Sequence, residues 1–200
     1  MEVQHVNVKL FLEGDHEVDF GILIPVFHSW IRGQLFEELL IDVADYRHVA
    51  AGPGIVLVGH QANYSLDNCD GRPGVRYNRK ALLAGSNQDR FRQAVSAALV
   101  ACQHLEANEI LDGNIRFNQR EMELWVNDRL LAPNTQDTYR ALEPDLEVFC
   151  SKLFVGASYH LHWNSDPGRL FSLKISSDRG FPSNQLLGNL SSSNGSNEAR

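Results

Sequence analysis

The sequence predicts an α+β fold: a mainly antiparallel sheet of about seven or eight strands with three helices. Three observations predict it. Val6 to Leu12 alternates with a period of two, placing Val6, Val8, Leu10 and Leu12 on one side. Three longer stretches carry apolar residues at helical spacing: Leu23, Phe27, Trp30 and Ile31; Phe91, Ala94, Val95, Ala98, Cys102 and Leu105; Tyr139, Leu142, Leu146, Phe149, Cys150 and Leu153. The remaining apolar runs are short and divided by Gly, Pro, Asn and Asp, which favours hairpins.

Taken in order, Val6–Leu12 is the first strand. Asp19 then offers a cap to a helix over Phe20–Phe36, where Pro25 is tolerable only in the first turn. Leu39–Ala44 and Ile55–Tyr64 read as strands flanking a Gly52-Pro53-Gly54 turn. A further strand near Val75–Asn78 completes a hairpin through Asp70-Gly71. Ser86 and Asp89 form a capping-box variant ahead of the second helix, which runs to about Leu105. Ile115–Phe117 and Met122–Val126 read as a hairpin around Asn118-Gln119-Arg120. Asn134 or Thr135 caps the third helix, where Pro144 predicts a kink or two abutting helices. Tyr159–Trp163 and Leu170–Ile175 are the closing strands.

Residues 1–176 are expected to form a single domain. The Ser-, Asn- and Gly-rich residues 177–200 are expected to be a disordered polar tail, with Leu186, Leu187 and Leu190 as its apolar exceptions. Short words recur between the two ends of the chain. Leu23-Ile24-Pro25 answers Leu142-Glu143-Pro144, and Val8-Lys9-Leu10 answers Met122-Glu123-Leu124. They suggest two β-α-β-β modules related by an ancient duplication. In element order alone, such a pair is similar to the vicinal-oxygen-chelate architecture, in which facing sheets cup a metal.

Two hundred residues, 43% hydrophobic and 22% charged, suffice for one sizeable core. A net charge of −7 argues against nucleic acid as a partner. No cationic start with an apolar core opens the chain, and the longest apolar runs are too short to span a bilayer. Three separated cysteines, with no Cys-x-x-Cys or zinc-ligand spacing, suit a reducing, cytoplasmic setting.

Chemistry-bearing side chains concentrate between Leu39 and Lys80. Asp42, Asp45, His48, His60, Asn63, Tyr64 and Arg76 are the candidate ligand-binding residues, with Asp42 placed to orient His60 if their strands pair antiparallel. Each also has a plain structural reading: Asp45 as a turn residue, His48 as a solvated side chain, His60 as a core-edge histidine. His160 and His162 share one side of a strand, opposite Tyr159, Leu161 and Trp163, and read as solvent-facing. Trp125, if exposed, favours a protein interface. No reaction motif emerges, so no catalytic residue, metal or cofactor is assigned. The leading expectation is a non-catalytic protein-interaction or assembly module. The alternative is a small-ligand-binding protein or enzyme with its pocket in the 39–80 region. The partner is accordingly another protein or a small ligand, and the oligomeric state is left open.

Overall fold

The computed structural model describes residues 1–14, 19–50 and 52–192. Their elements are β1 (Val6–Leu12), α1 (Leu23–Gly33), β2 (Leu40–Asp45), β3 (Ile55–Gly59), β4 (Ala62–Asp67), β5 (Gly74–Arg79), α2 (Asn87–Glu106), β6 (Phe117–Val126), α3 (Gln136–Leu153), β7 (Tyr159–Trp163), β8 (Phe171–Ser177) and α4 (Ser183–Ser191). The eight strands form one antiparallel sheet in the order β2-β3-β4-β5-β1-β6-β8-β7. The described residues form this one sheet, with no second sheet facing it to cup a metal.

Period-two alternation sends Val8 and Leu10 of β1, Tyr77 of β5, Tyr64 of β4, Leu124 of β6 and Leu173 of β8 to one side, where all are buried. The helices cover that side. On α2, Gln93 donates to the Tyr77 hydroxyl at 2.8 Å. Trp30 of α1 reaches Tyr64 through Phe36, with ring centroids 5.4 and 4.9 Å apart in succession. Tyr139 of α3 stacks on Trp163 of β7 at 6.0 Å. The capping box at Ser86 and Asp89 starts α2, and the expected Phe91–Leu105 stripe is buried. In α3, Thr135 is the cap, and the helix runs through Pro144, which sits on its exposed side.

The chain takes one route twice. From β1 it crosses by α1 to the marginal strand β2 and returns through β3 and β4 to β5, beside β1. From β6 it crosses by α3 to the other margin, β7, and returns by β8 to lie beside β6. β1 and β6 pair in the middle, with Lys9 opposite Glu123. The first unit carries four strands after its helix, so only the second is β-α-β-β.

The helix count differs from expectation: the described residues hold four α-helices, not three. The fourth lies where a disordered tail is expected from residue 177. Ser177 still belongs to β8, and α4 packs on α2 and α3 with Leu186 and Leu190 buried. Phe181, 1% exposed, packs against Phe154 at 5.5 Å. Three well-spaced apolar anchors outweigh the polar composition around them. Residues 193–200, to which the expected disorder also extends, lie outside the described residues.

Two strand readings also change. β6 is continuous where a hairpin was expected, because Asn118, Gln119 and Arg120 stay extended within it. Conversely, the single strand expected over Ile55–Tyr64 folds back at His60 into β3 and β4, with Val58 opposite Asn63. The Glu38 carboxylate builds that turn: it accepts from the amides of Gln61 at 3.2 Å and Ala62 at 3.0 Å, and from the Tyr64 hydroxyl at 2.7 Å. Gly59 is required beside it, since a Cβ there would meet Ala62 O at 2.6 Å.

Candidate binding face on the helix-free side of the sheet

Among the described residues, the opposite side of the sheet carries no α-helix, yet several of its polar side chains are buried. In cross-strand register, one row reads Ser65, Arg76, Lys9, Glu123, Lys174, His162 across β4, β5, β1, β6, β8 and β7. Lys9 and Asp67, 1% and 0% exposed, form an ion pair of 2.5 Å. Lys9 reaches Asp67 because the intervening position on β5 is glycine. A Cβ on Gly74 would come within 3.0 Å of the Lys9 Cε and 2.5 Å of Leu10 O.

Around this pair, Arg76 places its guanidinium 4.7 Å from the Trp125 ring centre, a cation–π contact on a half-buried indole. Arg72 lies 3.7 Å over Phe11 and also pairs with Glu121, which Lys174 reaches at 2.5 Å. Burial pushes the Glu123 carboxyl up, with Asp70 adding to the effect. Above the face, the loop after β4 meets the loop after β7: Asp70 takes both terminal nitrogens of Arg169 at 2.7 Å, across 99 residues of sequence. That guanidinium holds the Asp70 carboxyl below the usual carboxylate range. Arg129 secures the second loop by donating to Gly168 O at 2.8 Å.

Four buried side-chain atoms have no hydrogen-bond partner among the described residues, and all four fall on this face: Asn63 Oδ1, Ser65 Oγ, Asp67 Oδ2 and Arg76 Nε. The last two face each other as an ion pair at 3.4 Å without hydrogen-bond geometry, which leaves Asn63 Oδ1 and Ser65 Oγ as the unserved atoms. A buried polar group left unserved costs about 1–3 kcal/mol, so such a concentration is expected where outside groups complete the structure.

Of the seven candidate residues, Asn63 and Arg76 come together here. Asp42 faces the same side, two strands from Asn63 in the row Asp42–Val58–Asn63, and the other four lie elsewhere. Asp42 is exposed on β2, opposite Val58, and its Oδ1 accepts from the Val43 amide at 2.8 Å. Asp45 ends β2 and accepts from the Arg47 side chain at 2.7 Å, which holds its carboxyl down at about 2. His48 is exposed and stacks on Tyr46 at 6.4 Å. His60 is exposed in the β3–β4 turn, at the far end of β3 from Asp45. Five residues at about 3.3 Å each separate Asp45 and His60 by roughly 16 Å, too far for these two to share a hollow. Tyr64 points to the helix side, where burial and Glu38 raise its hydroxyl.

Sequence reading missed Lys9, Glu123 and Arg169, did not assign Ser65 or Asp67 to a site, and tied Trp125 to a protein interface only if exposed. Their only signal is register: Lys, Arg, Asp and Glu occupy the off-core phase of neighbouring strands, and that becomes visible once pairing is known. Among the described residues, no group of three or more His, Cys, Asp or Glu side chains is gathered to hold a metal. No helix among them is long and apolar enough to cross a membrane. The chain matches no family model, no characterised protein sequence and no solved structure.

Proposed function

We propose that the chain is a non-catalytic interaction module, and that the helix-free face around Lys9, Asp67, Arg76 and Trp125 is the surface it presents to another protein. The observation that carries this reading is the concentration of unserved buried polar atoms on that face, beside a half-buried tryptophan stacked on arginine. Trp and Arg are the side chains that most often anchor protein interfaces. The Asp70–Arg169 contact, about half exposed on both sides, is a clasp that opens to admit the partner. The local hydrogen bonds of Asp42 with the Val43 amide and of Asp45 with Arg47 support the same reading. The repeated strand–helix route around the Lys9–Glu123 pair fits descent from a duplicated unit.

A second reading, a small polar ligand seated on Asn63, Ser65 and Arg76, is favoured by the same unserved atoms. Affinity capture from source cells, with wild type, Trp125→Ala and the helix-side variant Val148→Ser, tests the first reading. A partner retained by V148S and lost with W125A supports it; partners indifferent to W125A overturn it. Native mass spectrometry of freshly purified protein tests the second. A bound mass lost in Ser65→Ala supports a small ligand, and the bare chain mass refutes it.

A further inference from the structure

The two margins of the sheet are built differently. In β2, the Tyr46 amide bonds to Gly54 O just beyond the Asp45–Ile55 pair. Antiparallel alternation therefore turns the main-chain groups of Val43 and Asp45 outward, away from β3. This margin is plugged. Asp42 takes the Val43 amide at 2.8 Å, Asp45 takes the Arg47 amide at 3.0 Å, and the strand bulges between Leu40 and Asp42. Bulges and charged side chains are the standard protection of an edge strand.

β7 has none of this. Asp178 N bonds to Ser158 O and Asn164 N to Ser172 O, which turns the even-numbered residues toward β8. The N–H and C=O of Tyr159, Leu161 and Trp163 then point outward, and no partner for them exists among the described residues. The strand holds no Lys, Arg, Asp, Glu or Pro. Its nearest sheet charge, Lys174 beside His162, is already bonded to Glu121 at 2.5 Å. On the helix side, exposed Val148 and Val155, 47% and 56% accessible, lie on α3 and just after it.

The residue order Tyr159-His160-Leu161-His162-Trp163 reads the same in kind from either end: aromatic, His, Leu, His, aromatic. Two copies related by a two-fold through Leu161 bring Leu161 against Leu161, Tyr159 against Trp163 and His160 against His162. In that register every outward N–H of the three odd residues meets an outward C=O of the other copy. Aromatic cross-strand pairs add stabilisation, and on the helix-free side four imidazoles face one another.

From the contrast between the margins and this self-match we infer that the chain forms a homodimer by antiparallel pairing of β7 with β7, extending the sheet across the two-fold. The partner is a second copy of this chain, and the seam is separate from the face proposed above.

Light scattering on the eluting full chain, from low micromolar to several hundred micromolar, reads the association. The expected mass at the upper end is that of two chains. His160→Lys/His162→Lys sets four ammonium groups across the seam and is expected to weaken association at least tenfold. His160→Lys/His162→Glu sets each lysine opposite a glutamate of the other copy and is expected to restore it. Both positions are exposed, so the fold tolerates them. Amide hydrogen exchange of the unaltered protein gives a second readout: Tyr159, Leu161 and Trp163 should slow as concentration rises, while the plugged β2 margin does not change. A wild type that stays monomeric throughout, a double-lysine variant that still dimerises, a lysine–glutamate variant that does not, or concentration-independent exchange at Leu161 each overturns the inference.

Discussion

Replacing Lys9 with methionine is the sharpest probe of the helix-free face. The ammonium is 1% exposed and lies 2.5 Å from a carboxylate that is itself 0% exposed. Lys9→Met keeps the length of the stem but leaves the Asp67 charge in place. Breaking one side of a buried pair costs about 3–5 kcal/mol, chiefly the penalty of the stranded partner. Here the carboxylate keeps the Cys69 amide at 3.0 Å and Arg76 Nε at 3.4 Å, which places the expected loss near about 3 kcal/mol, the lower end of that range. Lys9→Met/Asp67→Asn removes the stranded charge while leaving an acceptor for Cys69. It is expected to recover at least about 1 kcal/mol relative to the single variant. Urea unfolding at neutral pH, followed by circular dichroism with the slope fitted for each variant, measures both. A single variant that loses less than about 1 kcal/mol, or a double variant no more stable than the two singles summed, refutes the view that Lys9 is held by Asp67.

Two further predictions concern the clasp and the fourth helix. Because Arg169 depresses the Asp70 carboxyl in the folded state, the clasp contributes above the unfolded carboxylate value of about 3.9 and is lost as pH falls through the lower folded value. Carboxyl-resonance titration should therefore show Asp70 returning to the ordinary range in Arg169→Ala, and an unchanged titration refutes the contact. Leu186→Ala, which removes one of the buried anchors of α4, is expected to cost about 2–4 kcal/mol in the same urea assay. A cost within about 0.5 kcal/mol would mean that α4 is not docked.

Where local chemistry decides the outcome, the fold was legible in advance. Ser86 and Asp89 announce the start of α2, its apolar stripe is buried as spaced, and the β4–β5 hairpin follows from Asp70-Gly71. The errors come from long-range contacts. Val56, Val58, His60, Ala62 and Tyr64 alternate without a break, yet the chain reverses at His60, so Val56 and Val58 face away from the side occupied by Ala62 and Tyr64. That reversal rests on Glu38, which lies 23 residues before Gln61 in sequence and carries no local turn signal. The same limit hid the candidate site. Lys9 sits between two apolar residues in β1, and nothing nearby says that its charge will be met by Asp67, 58 positions on. α4 was obscured by composition: Ser and Asn dominate its surroundings, while two leucines four apart supply the docking.

Asp42 and Asp45 began as candidate ligand contacts and end as stoppers on one border of the sheet. Their presence limits how far addition of copies can proceed. When the two open borders join, the outermost strands of the product are both β2, and each is already stoppered, so growth halts at a pair and never becomes a filament.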